Sequence, residues 1–232
     1  MREAVTNADR ITHRTSVLIA GAGPTGLALA CDLRSRGIDV TIIDKAPGPA
    51  TTSRALGLQP RGTEILERLG ALGDLPQRAV KALALNFHSG ERSLFRIEMR
   101  PIPGMAVPGP LLIGQSEVEG QLRARLTELA SEVAWGTELV AAEEGKSDIK
   151  VTLRSQAGEY VVSADWLVGC DGSHSKTRKL AGIAFNGTAF AEKFLLADVR
   201  LDWSRPRREP VAWLHADGLF VPCRSRDRMF GG

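Results

Sequence analysis

Val17-Leu18-Ile19-Ala20-Gly21-Ala22-Gly23-Pro24-Thr25-Gly26 opens the readable part of the chain, and Val40-Thr41-Ile42-Ile43-Asp44 closes the same unit. Val17–Ala20 is a short apolar run with the look of a buried strand. A helix is predicted from about Thr25 to Arg36, with Leu29 and Leu33 four residues apart and Gly37 as its stop. Val40–Ile43 is the next strand. Strand, Gly-x-Gly-x-x-Gly, helix, strand and a terminal acid form the dinucleotide-binding βαβ pattern. Gly21 permits the tight turn, Gly23 leaves room for a pyrophosphate, and Gly26 lets helix and strand approach. Pro24 and Thr25 open the helix, whose N-terminus offers N–H groups and partial positive charge to phosphates. Asp44 is placed to accept hydrogen bonds from an adenosine ribose, with Lys45 beside it. An acid there repels a 2′-phosphate, which disfavours NADP in this pocket. The fingerprint alone does not separate FAD from NAD.

A second glycine motif, Cys170-Asp171-Gly172-Ser173-His174-Ser175-Lys176-Thr177-Arg178, follows the strand Trp166-Leu167-Val168-Gly169. Gly172 allows a turn whose backbone can approach a ligand. Asp171 can hydrogen-bond a hydroxyl. Ser175 is predicted to cap a short helix closed by Gly182.

Between the motifs, Lys45–Thr52 reads as a loop, and Arg61–Leu69 as a helix with Ile65, Leu66 and Leu69 on its apolar face and Gly70 at its end. Ala82–His88 and Ser93–Ile97 read as strands. Ser116-Glu117-Val118-Glu119 has the form of a capping box before a helix face of Val118, Leu122, Leu126 and Leu129. Strands are predicted near 137–142, 149–154 and 159–163, and again at Phe194–Leu201, Val211–His215 and Leu219–Val221. Residues 1–14 read as a loose tail.

The composition, 43% hydrophobic and 25% charged over 232 residues, suits a globular protein with a sizeable core. A net charge of +3 gives no argument for a nucleic-acid partner, and acids interleave with the Arg-rich segment from Arg205 to Arg228. Cys31, Cys170 and Cys223 lack Cys-x-x-Cys spacing, which fits a reducing cytoplasm without disulfides. The histidines show no metal-ligand spacing, so no metal site is expected. No apolar stretch approaches the ~20 residues of a membrane span, and the N-terminus lacks a signal-peptide h-region.

Taken together, these motifs resemble those of the class A flavoprotein monooxygenases, the FAD-dependent aromatic hydroxylases built like para-hydroxybenzoate hydroxylase. The resemblance is strongest to hydroxylases of phenols and aromatic polyketides. It is carried by Gly21 to Asp44, by Ser53-Arg54-Ala55 with Gln59-Pro60-Arg61, by Ile113-Gly114-Gln115, and by Asp171-Gly172 with Ser175 and Arg178. It implies FAD as cofactor and NAD(P)H as co-substrate. It places Arg54 beside the flavin and the nicotinamide's entry path, Gln115 near the ribityl chain, and Asp171 where both cofactors bind. The partners it implies are a small aromatic substrate and O2, with a homo-oligomer compatible with the pattern. The cofactor performs the hard chemistry in such enzymes, so no catalytic acid or base is assigned; His88 and His215 lie in strands of the implied substrate domain, where either could touch a phenol, and a structural role is the preferred reading.

The fold expected is α/β: a Rossmann-like FAD-binding domain from residues 15–80 and 111–184, with a parallel sheet, plus an incomplete strand-rich substrate domain from 81–110 and 185–232. The family's later Gly-Asp motif has no counterpart here, because Gly73-Asp74 falls too early. The expectation is therefore an N-terminal portion, truncated and impaired as a hydroxylase. The rival readings are a non-catalytic FAD-binding fragment and an NAD-dependent Rossmann oxidoreductase. Against the second, Tyr160 is the only tyrosine, and Ala164 stands where a Tyr-x-x-x-Lys pair needs its lysine.

Overall fold

The computed structural model describes residues 11–51, 55–100, 102–104, 107, 109–188, 190–191, 195 and 208–222. In chain order the elements are β1 (Ile11–Ala20), α1 (Pro24–Ser35), β2 (Val40–Asp44), α2 (Pro60–Arg68), α3 (Leu75–Arg78), β3 (Val80–Lys81), β4 (Ala84–Ser89) and β5 (Arg92–Glu98). They continue with β6 (Leu111–Leu112), α4 (Gln115–Glu128), β7 (Val133–Trp135), β8 (Glu138–Glu144), β9 (Ile149–Ser155), β10 (Gly158–Gly169), α5 (Lys176–Leu180), β11 (Val211–His215) and β12 (Gly218–Phe220). The chain divides into two compact units, Met1–Ala50 with Leu122–Phe190, and Thr51–Gln121 with Ala191–Gly232.

The first unit holds a six-stranded sheet in the order β7-β2-β1-β10-β9-β8. β7, β2, β1 and β10 run parallel, and β9 and β8 complete the sheet antiparallel. β1 is flanked by β2 on one side and β10 on the other, so both glycine motifs leave the carboxyl ends of neighbouring parallel strands. In open α/β sheets that is where ligands bind. Consecutive β1 residues Leu18 and Ile19 are both fully buried, as a strand covered on both faces requires. α1 packs on β1 and β2. The Cys31 thiol donates to the Leu122 carbonyl (3.3 Å), and Arg34 donates to the carbonyls of Leu129 and Ala130 at the end of α4. A separate core joins Leu18, Ala20 and Ile43 to Leu139, Val151, Leu153, Val162 and Ala164. The period-2 spacing of Val151/Leu153 and Val162/Ala164 turns these pairs to one face.

The second unit holds a four-stranded sheet, β12-β11-β4-β5, and the small pair β3-β6. β11 runs parallel to β4, while β5 and β12 pair antiparallel to their neighbours. β12 and β5 are its edges among the described residues. Phe87 stacks on Phe95 across β4 and β5 at 4.4 Å between centroids. Glu209 ties the sheet by accepting from Arg96 (2.9 and 3.2 Å).

Several sequence-based expectations need correction. Residues 11–14 are strand: β1 pairs with β10 from Ile11 onward, and Arg14 bonds Asp165 at 2.7 Å. The segments near 159–163 and Trp166–Val168 are one strand, β10, whose partner set changes from β9 to β1 alone near Ala164. α4 begins at Gln115, with Gly114 accepting from the N–H groups of Glu117 and Val118. Ser116 thus lies inside the helix, and no Ser116–Glu119 capping box forms; Glu119 accepts instead from the Gln115 amide at 2.8 Å. In α2 the buried stripe is Pro60, Thr63 and Leu66, while Ile65 is exposed. The segment Phe194–Leu201, with Leu195 excepted, and residues 1–10 lie outside the described residues.

Candidate functional site: the junction of two glycine loops

Gly21 adopts φ +105°, a conformation that L side chains rarely take. Its N–H donates to the Ile43 carbonyl at 2.8 Å, which hangs the loop on the end of β2. A Cβ on Gly21 would strike the carbonyl of Cys170, and a Cβ on Gly26 would strike the carbonyl of Gly21. The first glycine lets the two motif loops touch; the third lets α1 lie against its own turn. Gly23 differs, because a Cβ there would meet no protein atom within 4 Å. Its lack of a side chain serves the space above the loop rather than the packing below it.

That space faces the start of α1. Gly23 is the N-cap and supplies no side-chain acceptor; Pro24 sits in the first turn, and no acid stands there. The first-turn N–H groups of a helix have no partner within it, so those of Thr25 and Gly26 are the donors nearest Gly23. A cradle that only a glycine keeps open, beside uncontested donors and a helix's positive end, fits a pyrophosphate.

Asp44 closes the loop from the other side. Its Oδ2 accepts from the Ala22 N–H at 2.8 Å and its Oδ1 from the Ala46 N–H at 2.9 Å. Each oxygen keeps a second lone pair for a ribose hydroxyl. Below it, the Thr137 N–H donates to the Asp44 carbonyl (2.9 Å) and the Gly136 N–H to the Ala46 carbonyl (2.7 Å). Asp44 and Lys45 line one side of an open cleft of about 630 Å³, whose other walls are Gly136, Glu138, Arg154 and the β9–β10 turn.

The second loop starts where the Cys170 N–H donates to the Ala20 carbonyl at 2.7 Å. Asp171 turns its carboxylate onto α5. Oδ1 accepts from the Ser175 hydroxyl (2.6 Å), and Oδ2 accepts from the N–H groups of Lys176 (2.7 Å) and Thr177 (3.0 Å) and from the Thr177 hydroxyl (3.2 Å). Ser175 caps α5 by accepting from the Arg178 N–H at 2.9 Å. Burial by itself would raise the Asp171 pKa, but the bonds from Ser175, Thr177 and Lys176 outweigh it and hold the carboxyl below its ordinary value. Burial pushes the neighbouring Cys170 thiol up, and the Asp171 charge adds to that. Gly169 completes the junction, since a Cβ there would lie 2.8 Å from Thr177 Cβ.

The family described as "FAD binding domain" matches residues 14–228. The chain belongs to it. Among relatives, 6-methylpretetramide 4-monooxygenase of Streptomyces rimosus is 39% identical over 188 residues, 80% of this chain and 33% of that protein. Pentachlorophenol 4-monooxygenase of Sphingobium chlorophenolicum is 31% identical, over 82% of this chain and 36% of its own length. The solved structure of OxyS anhydrotetracycline hydroxylase from Streptomyces rimosus superposes with a TM-score of 0.66 at 35% identity, covering 76% of this chain and 35% of that one. The chain thus spans roughly a third of the length of each of these three monooxygenases.

Within this FAD-binding domain the structure brings Gly21, Gly23, Pro24, Thr25, Gly26, Asp44, Lys45 and Asp171 to one end of the first unit's sheet, with Thr25 and Lys45 exposed. Arg54 lies outside the described residues. Gln115 belongs to the second unit, where its N–H donates to the Ala55 carbonyl at 3.0 Å and its amide to Glu119. Sequence reasoning passed over Ala22, Gly169 and Arg154. Gly169 could have been suspected as a glycine directly before a helix-capping motif; nothing in the local sequence marks Arg154. Among the described residues no group of three or more His, Cys, Asp or Glu side chains could hold a metal, and no helix is long and apolar enough to cross a membrane.

Proposed function

We propose that this chain is the FAD-holding part of a monooxygenase that hydroxylates a phenolic or polyketide-type aromatic ring with O2 and NAD(P)H. The observation that carries the reading is the junction itself. A glycine loop open only above Gly23 and closed by Asp44 meets the Asp171 loop at the carboxyl ends of adjacent parallel strands. The names of the relatives, 6-methylpretetramide 4-monooxygenase and pentachlorophenol 4-monooxygenase, support the substrate class. When bound, FAD supplies the hydride-accepting and oxygen-activating chemistry. The chain's own residues hold it: α1 and the Gly21–Gly26 loop take the pyrophosphate, Asp44 the adenosine ribose, and the Asp171 loop shapes the neighbouring wall. Arg54 and Gln115 complete the reading as residues near the flavin ring and ribityl chain. We further propose that the chain is one part of a longer hydroxylase acting in the cytoplasm and turns over little by itself, which the coverage of its relatives supports.

Equilibrium dialysis against FAD tests the first half, with saturable uptake of one flavin per chain expected. Substrate-stimulated NAD(P)H oxidation, followed with a panel of phenols and anhydrotetracycline-like polyketides, tests the second. Absence of any flavin uptake at millimolar FAD would overturn the cofactor assignment. Phenol-dependent turnover by the 232-residue chain would overturn the statement that it needs more protein.

A further inference from the structure

The cleft beyond Asp44 has a wall that no fingerprint motif accounts for. Arg154, at the end of β9, lies between two acids on the flanking strands, in register with Glu138 on β8 and Glu159 on β10. Its Nε and Nη2 both donate to Glu159 Oε1, at 2.9 and 2.7 Å, and its Nη1 donates to Glu138 Oε2 at 3.4 Å. The guanidinium is therefore held in a fixed plane from its edge, while about half of the side chain stays exposed. A planar cation with an open face stacks on aromatic rings, and an arginine clamped by carboxylates loses little freedom when it does so.

Position and charge say which ring. A pyrophosphate on the Gly23 cradle and a ribose on Asp44 fix the direction of travel: the base leaves the ribose on the side away from the phosphates, past Asp44. The cleft there has the volume of a small-ligand site. Its charged lining side chains cancel, Lys45 and Arg154 against Asp44 and Glu138. A neutral aromatic base suits that balance; a further phosphate does not. Gly136 and Ala46, tied at 2.7 Å, keep one side free of bulky side chains.

We infer that Arg154 is the base-stacking residue of the adenosine subsite, held flat by Glu159 and Glu138, and that it gives the domain its preference for an adenine dinucleotide over a flavin mononucleotide. The inference rests on the FAD reading above and adds a residue to it. Calorimetric titration of this chain with ADP and with FMN, alongside the unfolding midpoint, tests it. Arg154→Ala should weaken ADP binding roughly three- to thirty-fold while leaving FMN binding and the midpoint in place. Arg154→Lys keeps the charge without the plane and should recover little of the loss; Glu159→Gln, which loosens the plane, should fall between. ADP binding by Arg154→Ala at the parent's affinity would overturn the inference and leave the FAD reading standing. So would a loss that strikes ADP and FMN equally. Should Arg154→Ala not fold, full ADP affinity in Arg154→Lys would overturn stacking by itself. No ADP binding by the parent chain would overturn the adenosine assignment, and this inference with it.

Discussion

The Oδ2 of Asp44 accepts a 2.8 Å hydrogen bond from the N–H of Ala22, the residue between the first two glycines of the loop. The acid therefore builds the loop as well as facing the proposed ribose site. A second bond, from the Ala46 N–H at 2.9 Å, spreads the same carboxylate over the chain leaving β2. Asp44→Ala should lose both bonds along with the ribose acceptor. Bonds to charged groups are worth about 1.5–3 kcal/mol each, so losing two should cost at least about 3 kcal/mol of folding stability in a urea titration, and FAD affinity should fall more than tenfold. Asp44→Asn, which keeps one acceptor oxygen, should fall between. Unchanged urea midpoints would mean that the Ala22 bond contributes nothing to the loop.

The three fingerprint glycines should separate into two kinds. Gly26→Ala places a methyl on the Gly21 carbonyl, a backbone atom that cannot swing away, so it should destabilise the fold by several kcal/mol or prevent its formation. Gly23→Ala meets no protein atom and should fold like the parent, while losing FAD affinity by at least tenfold, because the methyl occupies the pyrophosphate's approach. Thermal melts and flavin titrations on both variants check this together. A Gly23→Ala protein that binds FAD normally would move the phosphate site elsewhere.

The Cys31 thiol gives a third test, at alkaline pH. It is fully buried on the inner face of α1, and burial pushes its pKa up to about 11. A raised value means that the neutral thiol is the form the fold accepts. Its contribution to stability is complete below the ordinary value of about 9 and is lost as pH rises through about 11. Cys31→Ala should therefore reduce the alkaline loss of stability between those values, although the small cavity costs stability at neutral pH. Thiol reagents at pH 8 should leave Cys31 unmodified in the folded chain. Rapid labelling of Cys31 without unfolding would contradict the packing.

How much of this was legible follows from what each signal encodes. The βαβ unit was readable because glycine, apolar period and terminal acid all constrain the same stretch, and α1 runs Pro24–Ser35 against a prediction of Thr25–Arg36. β7, only Val133–Trp135, is too short to show alternation and exists because β2 offers it an edge. β10 read as two strands because Ala164-Asp165 interrupts its apolar run; Asp165 is tolerated there by pairing with Arg14 across β1. The start of α4 was misplaced because Ser116 and Glu119 have capping-box spacing, whereas the backbone turns two residues earlier, at Gly114. Arg154 left no trace in the sequence, since its place depends on two strand registers that only the folded sheet sets.

Asp171 offers the sharpest division between building a site and touching its ligand. In the structure both of its oxygens are engaged by α5: Ser175, Lys176 and Thr177 supply four hydrogen bonds. Asp171→Ala leaves those donors unsatisfied, in the manner of a lost helix cap, and should cost about 2 kcal/mol of stability. Because the carboxyl is held below its ordinary value, its contribution is present above that value and is lost as pH falls through the depressed one. The stability gap between the parent and Asp171→Ala should thus be constant near neutrality and close below about pH 4. Ser175→Ala removes one of the four bonds and the cap on Arg178 while sparing the carboxylate, so it separates loop geometry from charge. If Asp171 acts only by shaping the loop, FAD affinity should track stability across both variants. If the carboxylate also meets the cofactor, Asp171→Ala should lose more affinity than its stability loss and the Ser175→Ala behaviour account for. Flavin titrations read against urea midpoints for the two variants distinguish the outcomes. A pH-independent stability gap down to pH 2 would show that the charge on Asp171 is not what holds α5.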